Sequence, residues 1–299
     1  QQFHEHVHKF GSDRMLGGDY GKYDQKLPSQ LLFASLRILI DFARMCDYQE
    51  EELLIMEAMT GDIVYALIAF NGDLISLTEG SHISGNSLTV ILNGICGSLN
   101  LRCAFYSLYM PETIQTRIKF RDVVALMTYG DDNIGSVSDK IDGFNIKSIS
   151  QFLEAYGQTY TMPDKESELV PFLESDGFEF LKRTSVYCPQ KGQFVGALVE
   201  KSIFKMLHCY LYSKKCEYTE EWACAQNIDT ALREWENHGS EVYELRRSQM
   251  VDFFSSNDRV RVLCTRLEVP YDQCVDEWRQ KYDPSYVPFS EPDVPDLVD

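Results

Sequence analysis

The chain is short of positive charge. Against 46 Asp and Glu it carries 28 Lys and Arg, a formal net charge of −18 over 299 residues. A module whose whole task is to hold nucleic acid would be basic, so the balance argues against that class. It leaves room for an enzyme that meets nucleic acid through metal ions and local Lys/Arg groups. The deficit is uneven: from Cys216 onward there are 19 acidic and 8 basic residues. Long apolar runs are also missing. None reaches the roughly 18 residues that span a bilayer, and the polar, His-containing opening at residues 1–8 is not a signal peptide. The nine Cys form no C-x-x-C pair, which speaks against a zinc site or disulfide frame and for reduced thiols in a cytosolic setting. There is no internal repeat. The first residue is Gln rather than Met, so a piece of a longer product is expected. What the chain has in quantity is core material: 44% apolar residues, with 17 Phe and 17 Tyr. That suits one large globular domain or two smaller ones.

The most informative stretch is Tyr129-Gly130-Asp131-Asp132. Residues 123–127 before it are apolar and partly β-branched, which predicts a buried strand, and residues 133–137 can form a second. The step from Gly130 to Asp132 is then the tight turn of a hairpin with two carboxylates at its tip. Adjacent carboxylates repel each other, and a divalent cation offsets that cost. Gly and Asp are also ordinary turn residues, so the surrounding chain has to decide.

Residues 14–19 read as a short strand ending near Asp19. Pro28 opens an amphipathic helix marked by Leu31, Leu32, Ser35, Leu36, Leu39, Ile40 and Ala43 at helical spacing. Asp19 thus lies at a strand end and Asp24 just before a helix, where sites in α/β layers commonly form. Residues 63–70 and 73–77 flank Asn71-Gly72, a strong hairpin signal. A Gly/Ser loop at 80–85 leads into a long helix over 86–110, stopped by Pro111. Thr89, Asn93, Gly97 and Asn100 make a polar stripe on it, facing solvent or a polar ligand. Residues 149–156 read as a helix, 161–165 as a turn and 178–183 as a short strand able to pair with 185–188. Helices follow at 197–212, 220–237, 241–254 and 271–281. His4, His6 and His8 alternate, which on a strand places them on one face. With only Glu5 as an added partner, a polar strand or fraying end is the better reading than a metal site.

Three groups in this order, Asp19 and Asp24 in D-x-x-x-x-D, Ser84-Gly85 with Thr89 and Asn93 in S-G-x-x-x-T-x-x-x-N, and the Tyr129–Asp132 hairpin, resemble motifs A, B and C of positive-strand RNA virus RNA-dependent RNA polymerases of the picornavirus-like group. Thr161-Met162-Pro163-Asp164-Lys165 looks like motif D, and Phe180-Leu181-Lys182-Arg183 like motif E. The resemblance covers about residues 17–206; each motif is weak alone, and five in order are specific. It implies an α+β fold: a right-hand palm over 1–190, an antiparallel sheet of three or four strands backed by helices, then a mainly helical thumb over 191–282. An acidic, Pro-rich and loosely ordered tail takes up 283–299.

The resemblance further implies template-directed RNA synthesis with two Mg²⁺ ions, or Mn²⁺ in their place, roughly 3.5–4 Å apart. Asp19 and Asp131 would bridge both, with the Tyr20 carbonyl and Asp132 as further ligands. Asp24, Ser84, Gly85, Thr89 and Asn93 would bind the nucleotide and read its 2′-hydroxyl. Lys165 would act at the leaving pyrophosphate, and Lys182 and Arg183 on the primer. These residue types suit those tasks, since Mg²⁺ takes hard oxygen ligands. A site built to bond a hydroxyl also discriminates strongly against its absence. The implied partners are RNA template and primer, ribonucleoside triphosphates and other viral replication proteins, in the host cytoplasm or at membrane-associated replication complexes. Two departures stand out. Ile83 occupies a position where the family often has Pro, and only 18 residues precede Asp19, so basic finger motifs are missing and the chain alone is expected to be a poor polymerase. A reverse transcriptase is the nearest alternative enzyme, against which Asp24 and Asn93 favour ribose. A catalytically incompetent palm–thumb assembly module is the alternative of another class, against which the intact carboxylates count.

Overall fold

The computed structural model describes residues 1–76, 81–109, 118–174, 179–210, 218–254 and 258–282. Gly80, Pro111, Phe178 and the tail from Asp283, all used in the expectations above, lie outside the described residues, as do Met110 and positions 211–212 at two expected helix ends. The chain forms two compact units, Gln2–Phe180 and Leu181–Asp299, the latter together with Gln1.

The first unit runs α1 (Gln2–Val7), β1 (Met15–Gly21), α2 (Tyr23–Lys26), α3 (Ser29–Met45), α4 (Glu50–Val64), β2 (Leu67–Phe70), β3 (Asp73–Ser76), α5 (Thr89–Leu108), α6 (Phe120–Val123), β4 (Val124–Tyr129), β5 (Asp132–Val137), α7 (Ile146–Ala155) and β6 (Thr159–Thr161). Its main sheet is antiparallel in the order β4-β5-β1-β6, so β1 is an inner strand. Leu16 and Tyr20 of β1 and Tyr160 of β6 share one core with Leu32 and Leu36 of α3, Leu92, Cys96 and Phe105 of α5, and Ile149 and Leu153 of α7. The α3 positions recur at helical spacing, which gives that helix one apolar face to bury. Pro28 stands just outside it, at the cap.

Several expectations are corrected here. The first residues are a helix, not a strand: His4 stacks on His8 with ring centroids 4.1 Å apart, while His6 Nε2 donates to the Leu126 carbonyl at 3.1 Å. The strand expected from Ile63 starts at Leu67, because α4 runs to Val64. That helix buries only Leu53 and Val64 and so has little periodic apolar signal; its start is fixed by a reciprocal Gln49–Glu52 capping box. α5 begins three residues later than expected, since the Asn86 side chain accepts the Leu88 N–H at 2.9 Å and holds the chain in a turn. Its polar stripe meets neither solvent nor an open ligand face throughout: Asn100 is buried and donates to Gln158 Oε1 at 2.9 Å.

In the second unit Leu181 and Lys182 take left-handed backbone, φ 54° and 59°. They form a turn where a strand was expected, and β7 (Arg183–Cys188) starts after it, pairing with β8 (Gln193–Leu198). β8 delays the helix expected from Ala197, so α8 spans Glu200–Leu207. α9 (Glu220–Trp235), a 3₁₀ turn (Glu236–His238), α10 (Ser240–Phe253), α11 (Asp258–Arg261) and α12 (Tyr271–Tyr282) follow. Ile228, Leu232, Trp235, Tyr243, Leu267 and Tyr271 centre their core. The buried Asp229 carboxylate accepts from the Thr265 hydroxyl and from the backbone N–H groups of Thr265 and Arg266, at 2.6, 2.8 and 2.9 Å. That satisfies a charge which would be costly if unpaired. No described helix is long and apolar enough to cross a membrane.

Candidate active site

Strand register decides where the carboxylates fall. Gly18 of β1 pairs with Asn133 of β5. Continued by one residue, this antiparallel register sets Asp19 across from Asp132, the first residue of β5. At the turn before it, Gly130 has φ +61° while Asp131 is not left-handed. That is the sign pattern of a type II′ hairpin turn, whose first central residue is normally Gly. Asp131 and Asp132 are exposed at this tip.

A side-chain tie fixes the register. Asn133 Nδ2 donates to the Gly18 carbonyl at 3.1 Å, and the Tyr160 hydroxyl donates to Asn133 Oδ1 at 2.7 Å, so one amide links β5, β1 and β6. The Tyr160 ring passes so close to β1 that a Cβ on Gly18 would lie 2.4 Å from Tyr160 Cζ. Burial raises the pKa of the Tyr160 hydroxyl, which keeps it protonated as a donor. The buried Tyr20 ring packs between Tyr23 and Tyr160, at centroid distances of 4.6 and 5.0 Å. Asn133 and Tyr160 were not singled out in the sequence, where neither carries a motif signal.

Lys165 reaches Asp19 as well, at the end of the β1–β5 ladder. It sits in a left-handed conformation, φ 67°, in a turn organised by Asp164, whose carboxylate accepts from Glu166 N, Ser167 N and the Ser167 hydroxyl. These bonds, that of the Ser167 hydroxyl foremost, lower the Asp164 pKa. Lys165 Nζ lies 3.1 Å from Asp19 Oδ2. The lysine is two-thirds exposed, so solvent screens the pair and its stabilising effect is small.

The nucleotide-binding candidates are joined through backbone groups. The Tyr23 hydroxyl donates to the Asn93 carbonyl at 2.9 Å, and the His82 N–H donates to the Asp24 carbonyl at 2.8 Å. Ser84 and Gly85 are exposed, Gly85 at φ +99°, and the Thr89 hydroxyl turns back to the Ile83 carbonyl at 3.4 Å. Asn93 is buried on α5, and its Oδ1 has no hydrogen-bond partner among the described residues. The next residue, Gly94, faces the hairpin: a Cβ there would lie 3.4 Å from Thr128 Oγ1 and 3.8 Å from Gly130 N.

Lys182 and Arg183 belong to the second unit. Lys182 is exposed, and its carbonyl accepts the Val199 N–H at 2.9 Å. The Arg183 guanidinium makes a bidentate pair with Glu234 of α9, at 2.7 and 2.8 Å, and also donates to the Gly196 carbonyl at 2.8 Å. Three of its hydrogen bonds are thus already made within the protein.

Among the described residues no three His, Cys, Asp or Glu side chains are gathered to hold a metal ion. The donor chemistry nevertheless fits a hard divalent cation, since Asp19, Asp131 and Asp132 supply carboxylate oxygens at one end of the sheet. The positive charge of Lys165 at Asp19 Oδ2 marks where such a cation would be attracted.

The family model described as viral RNA-dependent RNA polymerase matches residues 1–252. The chain belongs to that family, whose members generally use divalent metal ions. Among curated relatives, the replicase polyprotein of Drosophila C virus (strain EB) is 28% identical over 254 residues, 81% of this chain. That of Cricket paralysis virus is 29% identical over 250 residues, 80% of the chain. The RNA1 polyprotein of Raspberry ringspot virus (strain cherry) is 30% identical over 235 residues, 78% of the chain. These matches take up 14%, 14% and 10% of the relatives' own length. The picornavirus-like character expected from the motifs is therefore shown.

Proposed function

We propose that the chain carries the catalytic centre of an RNA-directed RNA polymerase, with residues 1–190 acting as palm and 191–282 as thumb. The observation that carries this reading is the register of β1 on β5, which puts Asp19 across from the Asp131–Asp132 hairpin with Lys165 against it. Two Mg²⁺ ions, or Mn²⁺ in their place, held by Asp19, Asp131, Asp132 and the Tyr20 carbonyl, would supply Lewis-acid charge for the attacking hydroxyl and the triphosphate. The chain's own residues do the rest. Asp24 and Asn93 hydrogen-bond the ribose of the incoming nucleotide; Asn93 Oδ1, buried and without a partner among the described residues, must turn outward to accept from it. Ser84, Gly85 and Thr89 shape the loop beneath it. Lys165 places an ammonium beside the reacting phosphates, where it can stabilise developing charge and give a proton to the leaving pyrophosphate. Lys182 is the primer-backbone candidate; Arg183 would have to leave Glu234 to join it.

The substrates are an RNA template, a primer and ribonucleoside triphosphates, and polyprotein relatives bring other viral proteins in as partners. Family membership does not favour the reverse-transcriptase alternative. The test is Asp131→Asn in the complete polymerase. Loss of one metal-facing carboxylate should lower kcat about a thousandfold or more with the fold intact by circular dichroism. Near-normal incorporation by the folded variant would sink the assignment.

A further inference from the structure

His82 is the most unusual buried group in the first unit. The residue is only 3% exposed. Neither Nδ1 nor Nε2 has a hydrogen-bond partner among the described residues. Its backbone N–H, in contrast, makes a 2.8 Å bond to the Asp24 carbonyl. Ser84 and Gly85 follow two and three residues on, and with His82, Asp62, Met59, Ile63 and Ala66 they line an open cavity of about 430 Å³. A buried imidazole whose two nitrogens find no partner among the described residues is unfavourable. It is tolerated in the neutral form, where the ring acts as a flat, mostly apolar plug, and much less as a cation.

We propose that His82 is a positioning residue for the nucleotide site: its neutral ring, seated beneath the Ser84–Gly85 loop, holds the His82 N–H on the Asp24 carbonyl and so sets the loop against the ribose-reading residue. This rests on the polymerase reading above. Protonation unseats it. Burial alone lowers the imidazole pKa below its ordinary 6.5, so the unseated ring binds a proton more readily than the seated one. The seated loop is therefore fully favoured above about pH 6.5 and loses ground as pH falls through the lowered value. The titratable groups that face this region are Asp62, exposed at the cavity wall, and Asp24, exposed beyond the shared backbone bond. Neither contributes to the shift, which has desolvation as its cause.

The experiment compares wild type, His82→Leu and His82→Asn in the complete polymerase. Ribonucleotide KM and kcat are measured from pH 5.5 to 8, beside amide exchange at residues 81–86. In wild type, KM should climb by up to about tenfold per pH unit on the acid side, with kcat much less affected, and the His82 amide should lose protection over the same range. His82→Leu, an apolar plug, should keep KM within about threefold of wild type at pH 7.5 and lose the acid limb. His82→Asn, polar but without the titration, should be the worse of the two at neutral pH. The idea is overturned if Asn preserves KM better than Leu, since the nitrogens would then be bonding something. It is also overturned if the acid limb survives in both variants. Amide exchange is read without turnover, so a pH-dependent loss of His82 protection in a protein that fails to polymerise would count against the polymerase reading and not against the seating of the loop.

Discussion

Replacing Gly18 by Ala probes the tie that sets the active-site register. The added Cβ would lie 2.4 Å from Cζ, 2.6 Å from Cε1 and 2.7 Å from Oη of Tyr160. The obstacle is a ring edge whose residue is 2% exposed, not the end of a flexible chain, so Tyr160 or β1 must move. Overpacking of this kind costs about 1–3 kcal/mol. Displacing the Tyr160 hydroxyl also breaks its 2.7 Å bond and leaves buried Asn133 Oδ1 without its donor, at about 1–3 kcal/mol more. The expected loss is about 2–6 kcal/mol in the stability of the β5-β1-β6 region. Native-state amide exchange of β1 and β6 reads that region directly. Because Asp19 is the next residue, kcat should fall about a hundredfold from misplacement alone. Removing the obstacle should remove most of the cost: with Tyr160→Leu already present, Gly18→Ala should add less than about 1 kcal/mol, a strongly non-additive cycle. Unchanged exchange in Gly18→Ala, or additive effects of the two substitutions, would refute the reasoning.

Asp24→Ala and Asn93→Ala should each lower kcat/KM for ribonucleotides more than for deoxyribonucleotides, because only the former use the lost bond; an unchanged ratio returns both residues to a structural role. Arg183→Ala should destabilise the second unit by no more than about 1 kcal/mol, since the guanidinium is 40% exposed and its pair with Glu234 is partly screened. Exchanging the charges, Arg183→Glu with Glu234→Arg, should recover stability; if primer affinity survives the exchange as well, Arg183 does not grip the primer.

The hairpin that carries Asp131 and Asp132 was legible because it is local. A β-branched run, a two-residue turn and Gly130 at the one position needing positive φ are contiguous, so spacing alone placed Asp131 and Asp132. The α3 face was equally readable, as hydrophobic period and Pro28 agree there. The strand expected to end near Asp19 instead runs to Gly21, because β6 pairs with Asp19, Tyr20 and Gly21 beyond the β5 ladder. α4 was hidden because its outward positions Leu54, Ile55 and Met59 are apolar and exposed, which blurs the contrast between its faces. The His4–His8 helix could not be foreseen from alternation, because docking on β4 decides its form. The Asn133–Tyr160 tie and the seat of His82 are contacts between residues 27 and 58 positions apart, respectively. No local pattern encodes such pairs; they follow from sheet register and loop closure.

Asn93 and Gly94 are neighbours on α5, and they look in different directions. The first has its carbonyl bonded by Tyr23, the second lies against Thr128 and Gly130 of the hairpin. A machinist would call the helix a common datum. Two dimensions measured from one reference surface do not accumulate each other's errors, whereas dimensions chained through intermediate parts do. Thermal jitter that shifts α5 should carry the Asn93 amide, proposed above to read the sugar, and the carboxylate-bearing turn together, so that their mutual spacing is better conserved than either absolute position. The same arrangement means that substitutions on this helix which relax sugar choice should also slow addition, since no adjustment of one gauge leaves the other untouched.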